Sequence, residues 1–142
     1  MLMKQMRNAA LASGIFGFTG VLLGAFGAHA LKAALAARGT HDIWETAVFY
    51  QLTHAAALLS VAAWQGKNAG DSATITRNWL GWAARCWSLG IVLFSGSLYA
   101  LALGGLPGVF GPVTPLGGFA FLCGWACLIR QALTQTALSA KS

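Results

Sequence analysis

The chain has 142 residues, of which only twelve are Lys, Arg, Asp or Glu. That is 8% charged, where a soluble domain carries about 25%; with 57% apolar residues and a mean hydropathy of +0.65, water is the wrong solvent for most of it. The net charge of +6 does not point to nucleic acid, because the basic residues are single and dispersed, with no aromatic platform beside them.

A helix needs roughly 20 mostly apolar residues to cross a bilayer, and four stretches qualify. The first runs from Ala9 to Leu31 without a charge. Lys4, Arg7, this run and Ala28-His29-Ala30 together mimic a cleavable signal peptide, but the run is longer than the usual apolar region of about 7–15 residues, so we expect it to be retained. Gly39 suits the end of the preceding helix, and Asp42 with Glu45 three residues on has the pattern of an N-cap box. The second span follows, from Thr46 to Gln65. The third covers Cys86 to Leu106 behind a Trp-rich lead-in from Trp79, and the fourth covers Leu116 to Leu133, with Thr114 as its N-cap and Pro115 at the first helical position. No internal repeat is visible, and residues 1–142 read as one integral membrane domain. The fold class expected is an all-α bundle of four transmembrane helices.

An even number of spans puts both termini on one side. That side holds Lys4, Arg7, Lys67, Arg77, Arg85, Arg130 and Lys141, against Lys32 and Arg38 on the other, where Asp42 and Glu45 offset them. The bias predicts an N-in/C-in protein of the inner membrane. Trp64, Trp79 and Trp82 suit an interfacial belt on the inner side and Trp44 one on the outer side.

Lipid tails are as apolar as Leu, so spans associate through close packing and polar contacts. Ser13, Gly14, Gly17, Gly20, Gly24 and Gly27 share one side of the first helix. The third helix has Gly81, Arg85, Ser88, Val92, Ser95 and Tyr99 in the same rhythm, and the fourth has Gly117, Ala120, Gly124, Cys127 and Gln131. These read as packing seams, and by themselves they imply no chemistry. Cys86, Cys123 and Cys127 are an odd number within apolar stretches, so no disulfide scaffold is expected; Cys123 and Cys127 read as small apolar packers.

Candidate functional residues are the polar ones inside the spans, which are functional hypotheses by default. Tyr50, Gln51 and His54 share one sector of the second helix, with Gln65 near the same line, while His29 lies three residues before Lys32. Each could serve chemistry or simply tie one helix to another. Haem or metal held by His29 and His54 is disfavoured, because their depths differ and no Cys, Asp or Glu completes a shell. No cofactor or metal site and no catalytic residue is therefore assigned. Hydrolase, metalloprotease and phosphate-loop motifs are absent, and all three carboxylates fall outside the span limits, which weakens a coupled-transport reading.

Gly24-Ala25-Phe26-Gly27-Ala28-His29-Ala30-Leu31-Lys32, Trp44 to Gln51 closed by His54-Ala55, Leu93-Phe94-Ser95-Gly96-Ser97-Leu98-Tyr99 and Thr114-Pro115-Leu116-Gly117-Gly118 occur here in that order. With these stretches the chain closely resembles a family of small membrane proteins catalogued as domain of unknown function 423, similar to the eukaryotic transmembrane protein 256. The resemblance implies a four-helix inner-membrane protein in bacteria with its first helix retained, and it implies no activity. Three readings follow. The first is a non-enzymatic accessory or assembly protein, partnered by the lipid bilayer and by further copies or a larger membrane complex. The second is a small-solute or proton-permeation protein with a Tyr50/Gln51/His54 relay. The third is a quinone- or haem-handling component.

Overall fold

The computed structural model describes residues 2–67, 79–104 and 112–139, all of them helix or the short turns between helices. The elements are α1 (Leu2–Ala28), α2 (Lys32–Arg38), α3 (His41–Lys67), α4 (Trp79–Gly90), a π-helical turn (Ile91–Ser95), α5 (Gly96–Ala102) and α6 (Val113–Ser139). The last α4 residue runs into the π turn and then α5, so Trp79–Ala102 forms one span. With Met3–Ala28, His41–Gly66 and Val113–Gln135 it makes four helices long and apolar enough to cross a bilayer. The fold is a four-span all-α bundle. Expectations for Arg77, Leu106 and Lys141, and for the loops over 68–78 and 105–111, lie outside the described residues.

Several limits differ from the sequence reading, each for a local reason. α1 ends at Ala28, so His29 sits in a turn rather than on the helix. α3 begins at His41, which puts Asp42 and Glu45 within its first two turns rather than in a capping box. The residue before it, Thr40, turns its hydroxyl away to Ala102 O (2.8 Å), and Trp44 N–H bonds back to Thr40 O. The third span starts at Trp79, since Arg85 stays on the surface with its guanidinium 5.2 Å above the Trp82 ring and need not end a helix. α6 begins at Val113, and Thr114 spends its hydroxyl on Ser97 (2.7 Å) instead of on a cap.

α1 packs along α3, and α6 packs along α4 and the π turn; α3 also touches α4, the π turn and α5, which makes α3 and the third span the centre of the bundle. Two cores result. One joins Leu58 and Val61 to Leu80, Ala83, Trp87, Ile91 and Phe121. The other, at the α2 end, joins Leu35, Trp44 and Ala102. Trp44 is therefore a core residue, 3% exposed, and not part of an interfacial belt. Its indole lies where a Gly27 side chain would project, and its N–H donates to Leu23 O at 2.9 Å.

The expected seams are realised unevenly. On α6, Gly117 admits the Phe94 backbone and Gly124 admits the Trp87 indole, as a seam should. On α1, Ser13 meets α3 through Ala55 O, and Gly20, Gly24 and Gly27 meet it through Leu52, Val48 and Trp44; a side chain at Gly14 or Gly17 would meet nothing within 4 Å. On the third span the seam breaks, with Arg85 exposed and Val92 58% exposed. Arg85 already turns outward before the π turn, and the extra residue in that turn then rotates the helix beyond it, so no single 3.6-residue stripe stays buried. Large apolar side chains such as Phe18, Phe119, Leu122 and Ile129 are exposed outward, as contact with hydrocarbon permits.

Gly117→Val should test the seam. A branched side chain against the Phe94 backbone should lower stability by roughly 1–3 kcal/mol, whereas Gly14→Ala, which meets open space, should leave it unchanged or raise it. Thermal or denaturant unfolding of the two variants in one detergent checks both.

Candidate functional site

The candidates on α3 separate into two clusters. Gln51, 3% exposed, sits where α1, α3 and α5 meet. Its amide nitrogen donates to Phe16 O (2.9 Å) and to Thr19 Oγ1 (2.8 Å), and its carbonyl accepts from the Tyr99 hydroxyl (2.9 Å). Thr19 passes its own proton to Ile15 O (2.8 Å), so it is free to accept from Gln51. Both amide protons and the amide oxygen are thus engaged, and one side chain fastens two other helices to α3. Tyr99 completes the corner by packing its ring edge-on to Trp44, with centroids 4.7 Å apart.

His54 faces the opposite way, toward α4 and α6, and is 4% exposed. From His41 it lies thirteen residues along the helix, about 20 Å at 1.5 Å per residue, near the middle of α3. Its ring stacks on Phe121 with centroids 3.6 Å apart and planes 13° from parallel. Trp125 donates its indole N–H to Nε2 at 3.2 Å, and Nδ1 lies 2.8 Å from Tyr50 O. An indole N–H can only donate and a carbonyl can only accept. We therefore assign the single ring proton to Nδ1, which donates to Tyr50 O while Nε2 accepts. Neither nitrogen has a lone pair left for a metal.

Tyr50 lies between the clusters without joining them. Its ring is tilted over Phe94 (4.6 Å) and 6.1 Å from His54, while the residue remains partly exposed at the bundle surface. Among the described residues no hydrogen bond links Gln51 to Tyr50 or His54, so the shared sector on α3 does not make a continuous relay. His29, exposed in the turn after α1, belongs to neither cluster.

Sequence reasoning missed the partners. Trp125, Trp87 and Phe121 wall the His54 side, and Phe16, Thr19 and Tyr99 complete the Gln51 side. A Trp in the middle of an apolar helix was the legible signal, since a buried indole N–H usually finds an acceptor. Trp125 has one; Trp87 Nε1 has none among the described residues and lies against Gly124. Among the described residues, Gln65 and Ser95 are also buried without partners for their side-chain polar atoms. Beside His54, a recess of about 260 Å³ is lined by Ala57, Val61, Trp64, Trp87, Trp125 and Leu128 with Ser60.

At the α2 end, His41, Asp42 and Glu45 bring their donor atoms within 4.8 Å of one another, with His41 Nδ1 3.7 Å from Glu45 Oε1. These side chains are at least partly exposed, and the helix N-terminus they occupy carries partial positive charge that opposes a cation. The trio is geometry without a binding argument.

A bundle of four apolar helices, tied by side-chain bonds to backbone carbonyls and to other side chains, is the architecture of an integral membrane protein. Residues 23–118 match the profile of the family described as protein of unknown function (DUF423), and the chain belongs to that family. It is 39% identical over 126 residues to UPF0382 membrane protein YwdK of Bacillus subtilis, covering 89% of each chain. It is 40% identical over 119 residues to UPF0382 inner membrane protein YgdD of Escherichia coli K12, covering 84% of each. It is 42% identical over 106 residues to UPF0382 membrane protein SSP2132 of Staphylococcus saprophyticus, covering 75% of this chain and 80% of the relative. No solved structure matches it.

Two variants should separate the clusters. Gln51→Leu removes bonds to two helices and should destabilise by about 1–3 kcal/mol; a double-mutant cycle with Tyr99→Phe should show coupling of roughly 0.5–2 kcal/mol. Gln65→Leu relieves a buried amide with no partner and should raise stability instead. Reversible unfolding in mixed detergent micelles reads all of these differences.

Proposed function

We propose that this protein is a non-enzymatic accessory or assembly component of the bacterial inner membrane, with both termini in the cytoplasm. The observation that carries the reading is the state of two intramembrane polar groups: the amide of Gln51 and Nε2 of His54 are engaged in bonds to other helices, and Nδ1 of His54 in a bond to a carbonyl of its own helix. A residue that must donate, accept or ligate for a reaction has to have an unspent atom, and these do not. What remains available to another molecule is surface: the apolar flanks of the outer helices, and the α2 end with its exposed charges.

Charge supports the orientation. Among the described residues, Lys4, Arg7, Lys67, Arg85 and Arg130 fall toward the end at which α1 begins and α6 finishes, and Lys32 and Arg38 lie at the α2 end beside Asp42 and Glu45. The inner-membrane address is supported by the printed name of the Escherichia coli relative.

The reading predicts that purified protein in proteoliposomes gives no proton or small-solute flux above empty vesicles, and that it co-purifies from mild detergent with a membrane partner in fixed stoichiometry. Flux that His54→Ala abolishes while the unfolding transition is kept would overturn it in favour of permeation. A C-terminal fluorescent-protein fusion should be bright and a C-terminal alkaline phosphatase fusion inactive; the reverse pair of results refutes the orientation.

A further inference from the structure

Gly14 and Gly17 lie in the interior of α1, and no described residue of the chain packs where their side chains would be. Farther along the helix, a side chain at Gly20, Gly24 or Gly27 would collide with or press on Leu52, Val48 or Trp44; one at Gly14 or Gly17 would meet nothing within 4 Å. Glycine weakens a helix interior, and against lipid any larger apolar residue would serve better. The lipid-side surface of α1 is also divided. Leu11, Ile15, Phe18, Leu22 and Phe26 fill one flank, whereas the small residues Ala10, Gly14, Gly17, Ala25 and Ala28, interrupted by Val21 (64% exposed), fill the other, each set within about 80° at 100° per residue. Small residues spaced this way allow two helix backbones to approach closely in a membrane.

The small flank does not end at α1. It runs into a groove of about 340 Å³ between α1 and α3, lined by Gly24, Ala28, Trp44, Val48 and Leu52 and bordered by Phe49, which is 66% exposed. A large projecting ring thus stands beside a hollow at the same depth. The rim at the α2 end is charged. Asp42 and Glu45 are exposed on the first turns of α3. On α2, Leu35 is buried and Arg38 lies over Gly104 on the side of the third span, so Lys32 falls on the opposite edge. Among the described residues no ion pair joins Lys32 to either acid.

We propose that this face binds a second copy of the chain about a two-fold axis normal to the membrane. A two-fold interface needs one surface that complements itself. Here Gly14 and Gly17 of the two copies approach each other, each Phe49 enters the other copy's groove, and Lys32 of one copy stands opposite Asp42 and Glu45 of the other. A lipid tail could also lie in the groove, but it has no use for glycines outside the groove or for paired charges at its rim. The inference stands apart from the accessory reading, since a dimer is compatible with any function.

The test uses the full chain carrying donor or acceptor fluorescent proteins at the C-terminus, reconstituted in liposomes at falling protein-to-lipid ratio. Energy transfer should persist on dilution for the wild type. Gly17→Leu, which enters open space within the chain, should lower the dimer fraction at least tenfold while keeping the wild-type unfolding transition; Leu122→Ala on α6 should not change it. Lys32→Glu should weaken association, and adding Glu45→Lys should restore it, a rescue that a lipid occupant cannot produce. Energy transfer at the random level for wild type overturns the proposal. So does Gly17→Leu as dimeric as wild type, or a charge swap that rescues nothing. If Gly17→Leu fails to fold, the exposed Lys32 and Glu45 variants decide the question alone.

Discussion

The bundle depends on aromatic groups seated where a neighbouring helix has only hydrogen for a side chain. Trp44 rests on Gly27, Phe121 against Gly90 and Trp87 against Gly124, while the Phe94 backbone presses on Gly117. In lipid the hydrophobic effect does not drive helix against helix, so contact area and close approach must hold them. A missing Cβ lets a ring lie against the backbone itself, which is the largest contact one side chain can make there. The Trp44 seat also sets a hydrogen bond, because only at that distance does the indole N–H reach Leu23 O. Packing and polar bonding are therefore one constraint in this fold, and the glycines determine both.

Polar side chains in the interior then select which helix faces which. Ser13 reaches Ala55 O, Gln51 reaches Phe16 O and Thr40 reaches Ala102 O, all bonds from a side chain to another helix's carbonyl. Each is worth little alone, on the order of 1 kcal/mol, yet a shift of one helical turn would strand several of them together in a medium with no water to replace them. His54 belongs to the same scheme from the other side of α3. Its imidazole bridges a carbonyl of its own helix and an indole of α6, so the most suggestive residue of the chain acts as a fastener between α3 and α6.

Within this ordered interior the π turn is the irregular element. It rotates the third span midway, so that Trp87 and Ile91 face the core shared with α3 and α6 while Tyr99 turns to Gln51 and Trp44. One helix thereby serves both cores, which a straight helix with one buried stripe could not do. Ser95 at the end of the turn is buried, and among the described residues its hydroxyl has no partner.

The sequence by itself determined the class of the molecule, because four long, mostly apolar runs with only twelve charged residues in 142 make hydrocarbon the solvent for most of the chain. It also marked the residues that matter, Gln51 and His54 among them, since a polar group in such a run has to be accounted for. Direction was beyond it. Periodicity placed Tyr50, Gln51 and His54 in one sector, but a sector of roughly 100° on a central helix faces two different neighbours, and only the packed bundle sent Gln51 to α1 and α5 and His54 to α6. The same holds for the glycines, which are alike in sequence and differ only in whether another helix of the chain lies opposite. Tertiary structure decided these points because each depends on the rotation of one helix about its axis, a quantity fixed by partners far away along the chain.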